Sequence, residues 1–253
     1  MNYEPTNTEI ITNKKEFFDI ISSSNPGIYL IKPRILLSLV EEKFGIPTKL
    51  ELQFPSSEIG SITLLEAAML VALGKLVDAK TIFEFGTFLG YSTSLFSQNF
   101  PNSTVYSLDL PLSESELNSF SEITKADAMS NDVLNDNYLK ALQASHGSIY
   151  LTNDGTAHRD VRLLKENSLD FQCGDLNLIE SVDLVFIDGG HEEKIIESDT
   201  KNADAMRSQK SVVVWHDFNS NIHGDVTDYL EIHRDKRQMF HIQSTLLCFS
   251  IKF

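Results

Sequence analysis

Hydrophobic residues form a regular pattern only from about residue 62 onward. Short apolar runs there stop at glycine or polar residues, which is typical of buried strands. Between the runs, apolar residues recur at three- and four-residue steps, which is typical of amphipathic helices. The predicted strands are 81–85, 105–108, 161–164, 182–187 and 212–215, and the predicted helices are 62–76, 91–98, 191–206 and 226–233.

Strands that are apolar throughout and alternate with helices indicate a parallel sheet covered on both faces. Two further runs, 239–242 and 245–251, lie close together and predict a C-terminal antiparallel hairpin. We therefore expect an α/β fold: a Rossmann-like, doubly wound, mostly parallel sheet of about seven strands, formed by residues 61–253. Thr63 and Glu66 have the spacing of a capping box at the start of the first helix of this domain.

Two stretches do not fit the strand–helix alternation. Residues 1–60 show no strand alternation and are divided by prolines, so we expect an N-terminal helical cap on the main domain. Its aromatic side chains offer a surface on which a homodimer can form. The stretch 111–158 is polar, irregular and too long for a simple crossover, which predicts either a lid over the site or a surface insertion.

Charge and composition exclude several classes of protein. The 253-residue chain has a net charge of −15 and no basic stripe, so we do not expect a nucleic-acid partner. Cys173 and Cys248 form no CxxC pair, which argues against a disulfide scaffold or a zinc site. The absence of a signal-like leader and of long apolar stretches predicts a cytoplasmic protein that does not bind membranes. A small-molecule enzyme fits these properties.

Glycines follow the first predicted strand in the segment EFGTFLGYS, residues 84–92. Glycine lets the backbone approach a ligand, and the following helix begins with free N–H groups. The spacing is G-x-x-x-G rather than the G-x-G-x-x-G of dinucleotide binders, and Glu84 would repel a pyrophosphate. The segment therefore favours a ligand with an ammonium or sulfonium group; a tight turn without a ligand is the alternative.

Asp109 ends the next predicted strand. An acidic residue at this point of a doubly wound fold binds ribose hydroxyls, because one carboxylate accepts hydrogen bonds from both. A solvated aspartate that merely ends a strand is the alternative.

Polar residues also end two later strands, in the segments Asp188-Gly-Gly-His191 and His216-Asp217. Since ligands bind at the carboxyl ends of strands in open α/β sheets, we expect these side chains to share one crevice. Two carboxylates can hold a hard cation such as Mg²⁺, and a histidine can accept a proton from a substrate hydroxyl. A structural turn with His191 at the start of the next helix is the alternative.

The segments EFGTFLGYST, VYSLDLP, LLKENSLDF, DLVFIDGGHEEKIIESDTKNA and VVVWHDF, in this order, resemble class I S-adenosylmethionine-dependent methyltransferases of the family-24 type. The resemblance runs from about Ile62 to the C-terminus and leaves out 1–60 and about 111–158. The family includes small-molecule O-methyltransferases. The resemblance therefore implies methyl transfer from S-adenosylmethionine to a hydroxyl of a small polar molecule, with possible assistance by Mg²⁺.

The resemblance also implies roles for individual residues. In metal-using relatives the aspartate of the DGxH motif binds the metal and its histidine is the general base, which makes Asp188 and His191 the implied catalytic residues. The implied metal ligands are Asp188, Asp217 and His216. Some metal-using relatives have Glu-Asp where this chain has His216-Asp217. Imidazole is a poorer Mg²⁺ ligand than carboxylate. The implied cofactor contacts are Glu84, Gly86 and Gly90 at the methionine end, Asp109 at the ribose, Asn167 and Ser168 at the adenine, and in addition Thr87, Ser92 and Asp188.

Two other functions stay open at this point. One is a protein of the same fold that binds S-adenosylmethionine without transferring methyl groups or that performs another reaction, because a fold does not fix its chemistry. The other is a nucleotide-sugar or NAD-dependent enzyme on a similar sheet, against which the glycine spacing and Glu84 argue.

Overall fold

The structure is a computed structural model that describes residues 10–52, 60–111, 129–146, 149–152 and 160–253. The remaining parts of the expected N-terminal cap and of the 111–158 stretch lie outside the described residues. Among the helices of the described ranges, none combines the length and the apolar character that crossing a membrane requires.

A single mixed sheet runs through the described part of the molecule, in the order β1-β2-β8-β9-β7-β6-β3-β4-β5. All neighbouring strands pair in parallel except for β9, which is antiparallel to both β7 and β8. The α/β class and the C-terminal hairpin are thereby confirmed. The strands are β1 (Ile10–Ile11), β2 (Gly27–Ile31), β3 (Thr81–Phe85), β4 (Thr104–Asp109), β5 (Val161–Lys165), β6 (Val182–Ile187), β7 (Arg207–Trp215), β8 (Gln238–Ile242) and β9 (Cys248–Lys252).

The predicted count of about seven strands is wrong, because the sheet has nine strands within the described residues. The two additional strands, β1 and β2, come from the region expected to be only a helical cap. In β2, Ile28 and Ile31 are buried and Tyr29 and Leu30 are half-buried, so neither face of the strand is polar. A short run that is apolar on both faces shows no alternation along the sequence, which is why the strand was not predicted.

Eight α-helices connect or flank the strands in the described residues. The capping box is confirmed: the Thr63 backbone N–H donates to Glu66 Oε2 at 2.8 Å, and Thr63 Oγ1 accepts from the Glu66 N–H at 3.3 Å. The helices are α1 (Lys14–Ser23), α2 (Pro33–Phe44), α3 (Leu64–Val77), α4 (Tyr91–Asn99), α5 (Asp132–His146), α6 (Ile149–Thr152), α7 (Glu193–Met206) and α8 (Gly224–Ile232).

Two helical predictions need correction. Helix α3 was expected to be amphipathic, but it is buried on almost every side, because it lies between the sheet and α2. The 111–158 stretch was expected to be irregular, yet Asp132–His146 forms α5. Polar residues on most of its positions concealed the helix, and several of them face the cavity described below.

The core consists of two apolar clusters on opposite faces of the sheet. Residues such as Phe186 and Val214 pack with α2, α3 and α4, whereas their neighbours Val185 and Trp215 pack on the face covered by α7 and α8. This alternation follows from the two-residue period of a strand. With both faces filled, the carboxyl ends of β3 to β7 meet at one edge, and polar side chains gather there.

Candidate active site

A cavity of about 700 Å³ opens at the carboxyl ends of the parallel strands, which is within the usual size range of small-molecule sites. Its walls come from the strand-end loops, the start of α3, one face of α5 and the turn between β8 and β9. Of the residues predicted for the site, all but Glu84 and Gly90 line the cavity: Gly86, Thr87, Ser92, Asp109, Asn167, Ser168, Asp188, His191, His216 and Asp217.

Glu84 lies in the core behind the cavity wall and is completely buried. Its Oε2 accepts hydrogen bonds from the hydroxyls of Thr93 and Ser107, the latter at 2.6 Å. Burial raises the pKa of Glu84 to about 7, although these hydroxyls oppose the rise. A contact between Glu84 and the methionine end of a cofactor stays a prediction. The hydrogen bonds that join Glu84 to Thr93 of α4 and Ser107 of β4 are present in the structure.

The two glycines of the first loop are required by their backbone and their neighbours. Gly86 has a φ of +96°, and a Cβ there would lie 1.9 Å from the carbonyl oxygen of Asp188. Gly90 has a φ of +84°, and a Cβ there would lie 2.6 Å from Cγ of Leu151. Both residues therefore allow close packing of the loop, and Gly86 brings the ends of β3 and β6 together.

Asp109 ends β4 at the cavity wall, and its side chain is 14% exposed. Gln143 of α5 donates to Asp109 Oδ2, and Lys165 Nζ lies 3.3 Å from the same oxygen. Burial raises the pKa of Asp109, and the charge of Lys165 opposes the rise. The carboxylate predicted to bind ribose is thus accessible from the cavity but engaged by α5.

Asn167 and Ser168 line the cavity wall after β5. Asn167 Oδ1 accepts from the Leu169 N–H at 3.0 Å, and the Ser168 carbonyl accepts from Ser198 Oγ of α7 at 3.3 Å. The loop is therefore fixed to its own backbone and to α7. Adenine contacts by Asn167 and Ser168 stay predictions.

Two carboxylates surround the imidazole of His216. Its Nδ1 lies 3.0 Å from Asp188 Oδ1 and 3.1 Å from Asp217 Oδ2, and its Nε2 lies 3.6 Å from Glu66 Oε1. Neither ring nitrogen makes an aligned hydrogen bond with the described residues. The three predicted metal ligands thus form one cluster, in which each offers an atom within 4.8 Å of the other two.

The charges of this cluster shift its pKa values in opposite directions. Burial alone would lower the pKa of His216, but the adjacent charges of Asp188 and Asp217 raise it well above the usual value. Burial alone would raise the pKa of Asp217, but His216 and His191 hold it well below the usual value. A cationic group between the carboxylates is therefore strongly favoured, and a divalent cation fits this donor set.

His191 lies between two carboxylates on opposite walls of the cavity. Its Nε2 is 3.1 Å from Asp217 Oδ2, and its Nδ1 is 3.1 Å from Asp136 Oδ1 of α5. Burial lowers the pKa of His191, but the bonds to Asp136 and Asp217 raise it to about 10. The general-base role stays a prediction: it needs the neutral imidazole, and this arrangement favours the protonated one.

A second histidine lies against His191. The ring of His223 stacks on that of His191 with centroids 3.5 Å apart, and His223 Nδ1 is 2.5 Å from Asp132 Oδ1. Asp132 and Asp136 are four residues apart on α5 and therefore share one helical face. Three contacts join that face to the histidines at the cavity mouth: His191 with Asp136 and Asp132, and His223 with Asp132.

Several residues that matter here were not predicted from the sequence: Asp132, Asp136 and Gln143 of α5, His223, and Glu66 in any role beyond its cap. The i, i+4 spacing of Asp132 and Asp136 was the available signal. It is weak, because such spacing is common on solvated helices.

Comparison with known proteins identifies the family of this chain. A family-24 model described as "Methyltransferase domain" matches residues 83–218, which is more than half of the chain. The chain belongs to this family of S-adenosylmethionine-dependent methyltransferases. The matched segment of the methyltransferase contains every residue predicted for its site. None of the curated proteins matches the chain.

Solved structures of methyltransferases resemble this methyltransferase in fold. The O-methyltransferase NovP has a TM-score of 0.50 at 12% identity over 74% of this chain and 79% of its own. The O-methyltransferase TomG from Streptomyces achromogenes has a TM-score of 0.47 at 14% identity over 86% and 90%. At such identities the likeness concerns the fold alone, and the comparison with NovP supports the Rossmann-like arrangement.

Proposed function

We propose that this methyltransferase moves the methyl group of S-adenosylmethionine to a hydroxyl oxygen of a small polar acceptor, assisted by a divalent cation at Asp188, His216 and Asp217. One observation carries the proposal. A single cavity joins the predicted cofactor residues, including Asp109, to a cluster of carboxylates and imidazoles. Cofactor and acceptor can therefore lie side by side within it.

The cofactor end of the cavity fits S-adenosylmethionine chemically. Among the described residues no side chain caps the N-terminus of α4, which begins at Tyr91, so its N–H groups suit the carboxylate of the methionine part. The Asp109 carboxylate suits the two ribose hydroxyls. Since the two groups lie at the carboxyl ends of the neighbouring parallel strands β3 and β4, they support one extended ligand across both strands.

The other end of the cavity fits a hydroxyl acceptor. A divalent cation held by Asp188, His216 and Asp217 would act as a Lewis acid toward an acceptor hydroxyl. The chain itself contributes orientation, because methyl transfer is an in-line displacement whose rate depends strongly on positioning. Helix α5 lies over this end, where Asp136 and Asp132 contact His191 and His223.

His191 is the residue best positioned to hold the proton released by the acceptor. It faces Asp217 through Nε2, and Asp136 faces its Nδ1. If α5 moves away when the acceptor enters, His191 loses the charge of Asp136 and releases its own proton more readily. We infer that opening of α5 prepares His191 as proton acceptor.

The contacts of α5 also favour a second candidate, a protein of the same fold that binds S-adenosylmethionine without transferring its methyl group. The contacts of Asp132 and Asp136 with His191 and His223 close the cavity mouth. Permanent closure would leave His191 protonated and the acceptor end inaccessible.

Methyl transfer from isotopically labelled S-adenosylmethionine distinguishes the two candidates. The purified protein is incubated with a panel of small phenols, catechols and sugars, with their O-methylated and amine analogues as controls, in the presence of a divalent cation or a chelator. We expect label only in compounds with a free hydroxyl, and less label with the chelator. Label in amines alone, or in no acceptor despite cofactor binding, would contradict the proposal.

A further inference from the structure

The cluster of Asp188, His216 and Asp217, proposed above to hold a cation, contains the imidazole of His216. Neighbouring residues hold this imidazole in place. His216 is 11% exposed and Asp217 and Asp188 are 10% and 15% exposed, so the cluster is accessible only from the cavity. Nδ1 of His216 faces both carboxylates, and Nε2 of His216 faces away from them toward Glu66.

The spacing of the donor atoms is that of neighbouring ligands around one small cation. Donors about 2.0–2.2 Å from a metal ion in tetrahedral or octahedral coordination lie roughly 2.9–3.5 Å from one another. The two distances from His216 Nδ1, to Asp188 Oδ1 and to Asp217 Oδ2, are 3.0 and 3.1 Å. Neither contact is an aligned hydrogen bond, and both separations are those expected of neighbouring ligands of one cation.

Glu66 is built into the structure in a way that orients His216. It is only 2% exposed, and its Oε2 accepts from the N–H and the hydroxyl of Thr63, both at 2.8 Å. Its Oε1 accepts from the Leu246 N–H at 2.8 Å and lies 3.6 Å from His216 Nε2. At this distance Glu66 acts on His216 through its charge, which favours the tautomer with the proton on Nε2 and leaves Nδ1 for the metal.

We propose that Asp188, His216 and Asp217 form a site for a borderline divalent cation of the manganese, iron, cobalt or zinc class, in preference to Mg²⁺, and that Glu66 is the positioning residue for His216. Imidazole nitrogen suits these cations, whereas Mg²⁺ prefers oxygen ligands. The inference rests on the proposed function, because it specifies the cation that assists there.

The test measures metal binding alone, without cofactor or acceptor. Metal-free protein is titrated with Co²⁺, followed by its visible absorption, and Mg²⁺ is used as the competitor. Because most protein sites bind transition metals more tightly than Mg²⁺, the informative quantity is the ratio of the two affinities in wild type against His216→Glu. We expect the preference for Co²⁺ over Mg²⁺ to fall by about 10-fold or more in His216→Glu. An unchanged ratio would overturn the inference.

Pulsed electron paramagnetic resonance of bound Mn²⁺ provides a second readout that does not depend on a stable variant at position 216. We expect coupling to an imidazole nitrogen in wild type, its loss in His216→Glu and its persistence in His223→Asn, since His223 belongs to the neighbouring cluster with Asp132. Coupling that disappears only in His223→Asn would locate the metal in that other cluster and overturn the inference.

The role of Glu66 is tested with Glu66→Gln. Thr63→Ala is the matched control, because it removes the capping hydroxyl but keeps the Glu66 carboxylate and the backbone N–H groups of Thr63 and Leu246 that bind it. We expect Glu66→Gln to weaken Co²⁺ binding by about 10-fold or more and Thr63→Ala to leave it nearly unchanged. Equal weakening of Co²⁺ binding in both variants would mean that Glu66 acts only as part of the helix cap and does not position His216. Absence of methyl transfer with normal Co²⁺ selectivity would refute the proposed function and not this inference.

Discussion

The cavity has two walls that are held in different ways. The strand-end wall is held by buried contacts. The backbone at Gly86 packs directly against the Asp188 carbonyl, and side-chain hydroxyls donate hydrogen bonds to Glu84 in the core. The α5 wall is held by polar side chains, through Asp132, Asp136 and Gln143. From this difference we expect the strand-end wall to be rigid and the α5 wall to open at a modest cost in free energy.

His191 is the point at which the two walls meet, so its removal has the largest expected effect. We expect His191→Ala to reduce turnover by about 10²- to 10⁴-fold, the usual contribution of a general acid or base, and to leave cofactor affinity nearly intact. Steady-state kinetics and calorimetry measure the two quantities, with His233→Ala on the far side of α8 as control. Normal turnover in His191→Ala would remove this residue from the mechanism.

Gly86→Ala tests the backbone contact of the strand-end wall. The added Cβ would lie 1.9 Å from the Asp188 carbonyl at a φ of +96°, so we expect the free energy of unfolding to fall by about 4 kcal/mol. Gly224→Ala is the matched control, since no atom lies within 4 Å of its added Cβ. Denaturant unfolding measures both, and equal stability of the two variants would show that the wall is not tightly packed.

Glu84→Gln tests the burial behind the same wall. The pKa of Glu84 is raised to about 7 in the folded chain, from 4.5 without burial, so the folded state binds the proton more tightly. The stability from this group is complete below pH 4.5 and is lost as the pH rises to about 7. We expect the stability difference between wild type and Glu84→Gln to change by up to roughly 3 kcal/mol across that range.

Denaturant unfolding at several pH values measures the effect, with Glu41→Gln on the exposed face of α2 as control. A pH-independent difference between wild type and Glu84→Gln would contradict the burial of an ionisable Glu84.

Asp132→Asn tests the α5 wall and has the smallest expected effect. It weakens the ion pair with His223, and such partly exposed pairs contribute about 1 kcal/mol or less. We expect hydrogen exchange of the α5 amides to become about 3- to 10-fold faster while exchange in β3 and β6 is unchanged. Val133→Ala, at a position that is 67% exposed on α5, is the control. Unchanged exchange in Asp132→Asn would mean that other contacts hold α5.

The same two walls differ in how far the sequence predicts them. Apolar runs that end at glycine or aspartate predicted β3, β4, β6 and β7 and the residues at their carboxyl ends, because the position of a parallel strand end is fixed by its sheet. No sheet fixes the position of Asp132 and Asp136. A polar helix that covers a site has the same sequence pattern as a polar helix that faces solvent. Strand β2 was missed because it is apolar on both faces, and Glu66 was interpreted only as a cap.

Calorimetric titration of the wild-type protein with S-adenosylmethionine, and separately with NAD, tests most directly the cofactor assignment on which the proposed function depends. Asp109→Ala is titrated in parallel. We expect one S-adenosylmethionine per chain, affinity reduced about 10- to 100-fold in Asp109→Ala through loss of charge-assisted hydrogen bonds, and no binding of NAD. Binding of NAD in place of S-adenosylmethionine, or equal affinity in Asp109→Ala, would contradict it.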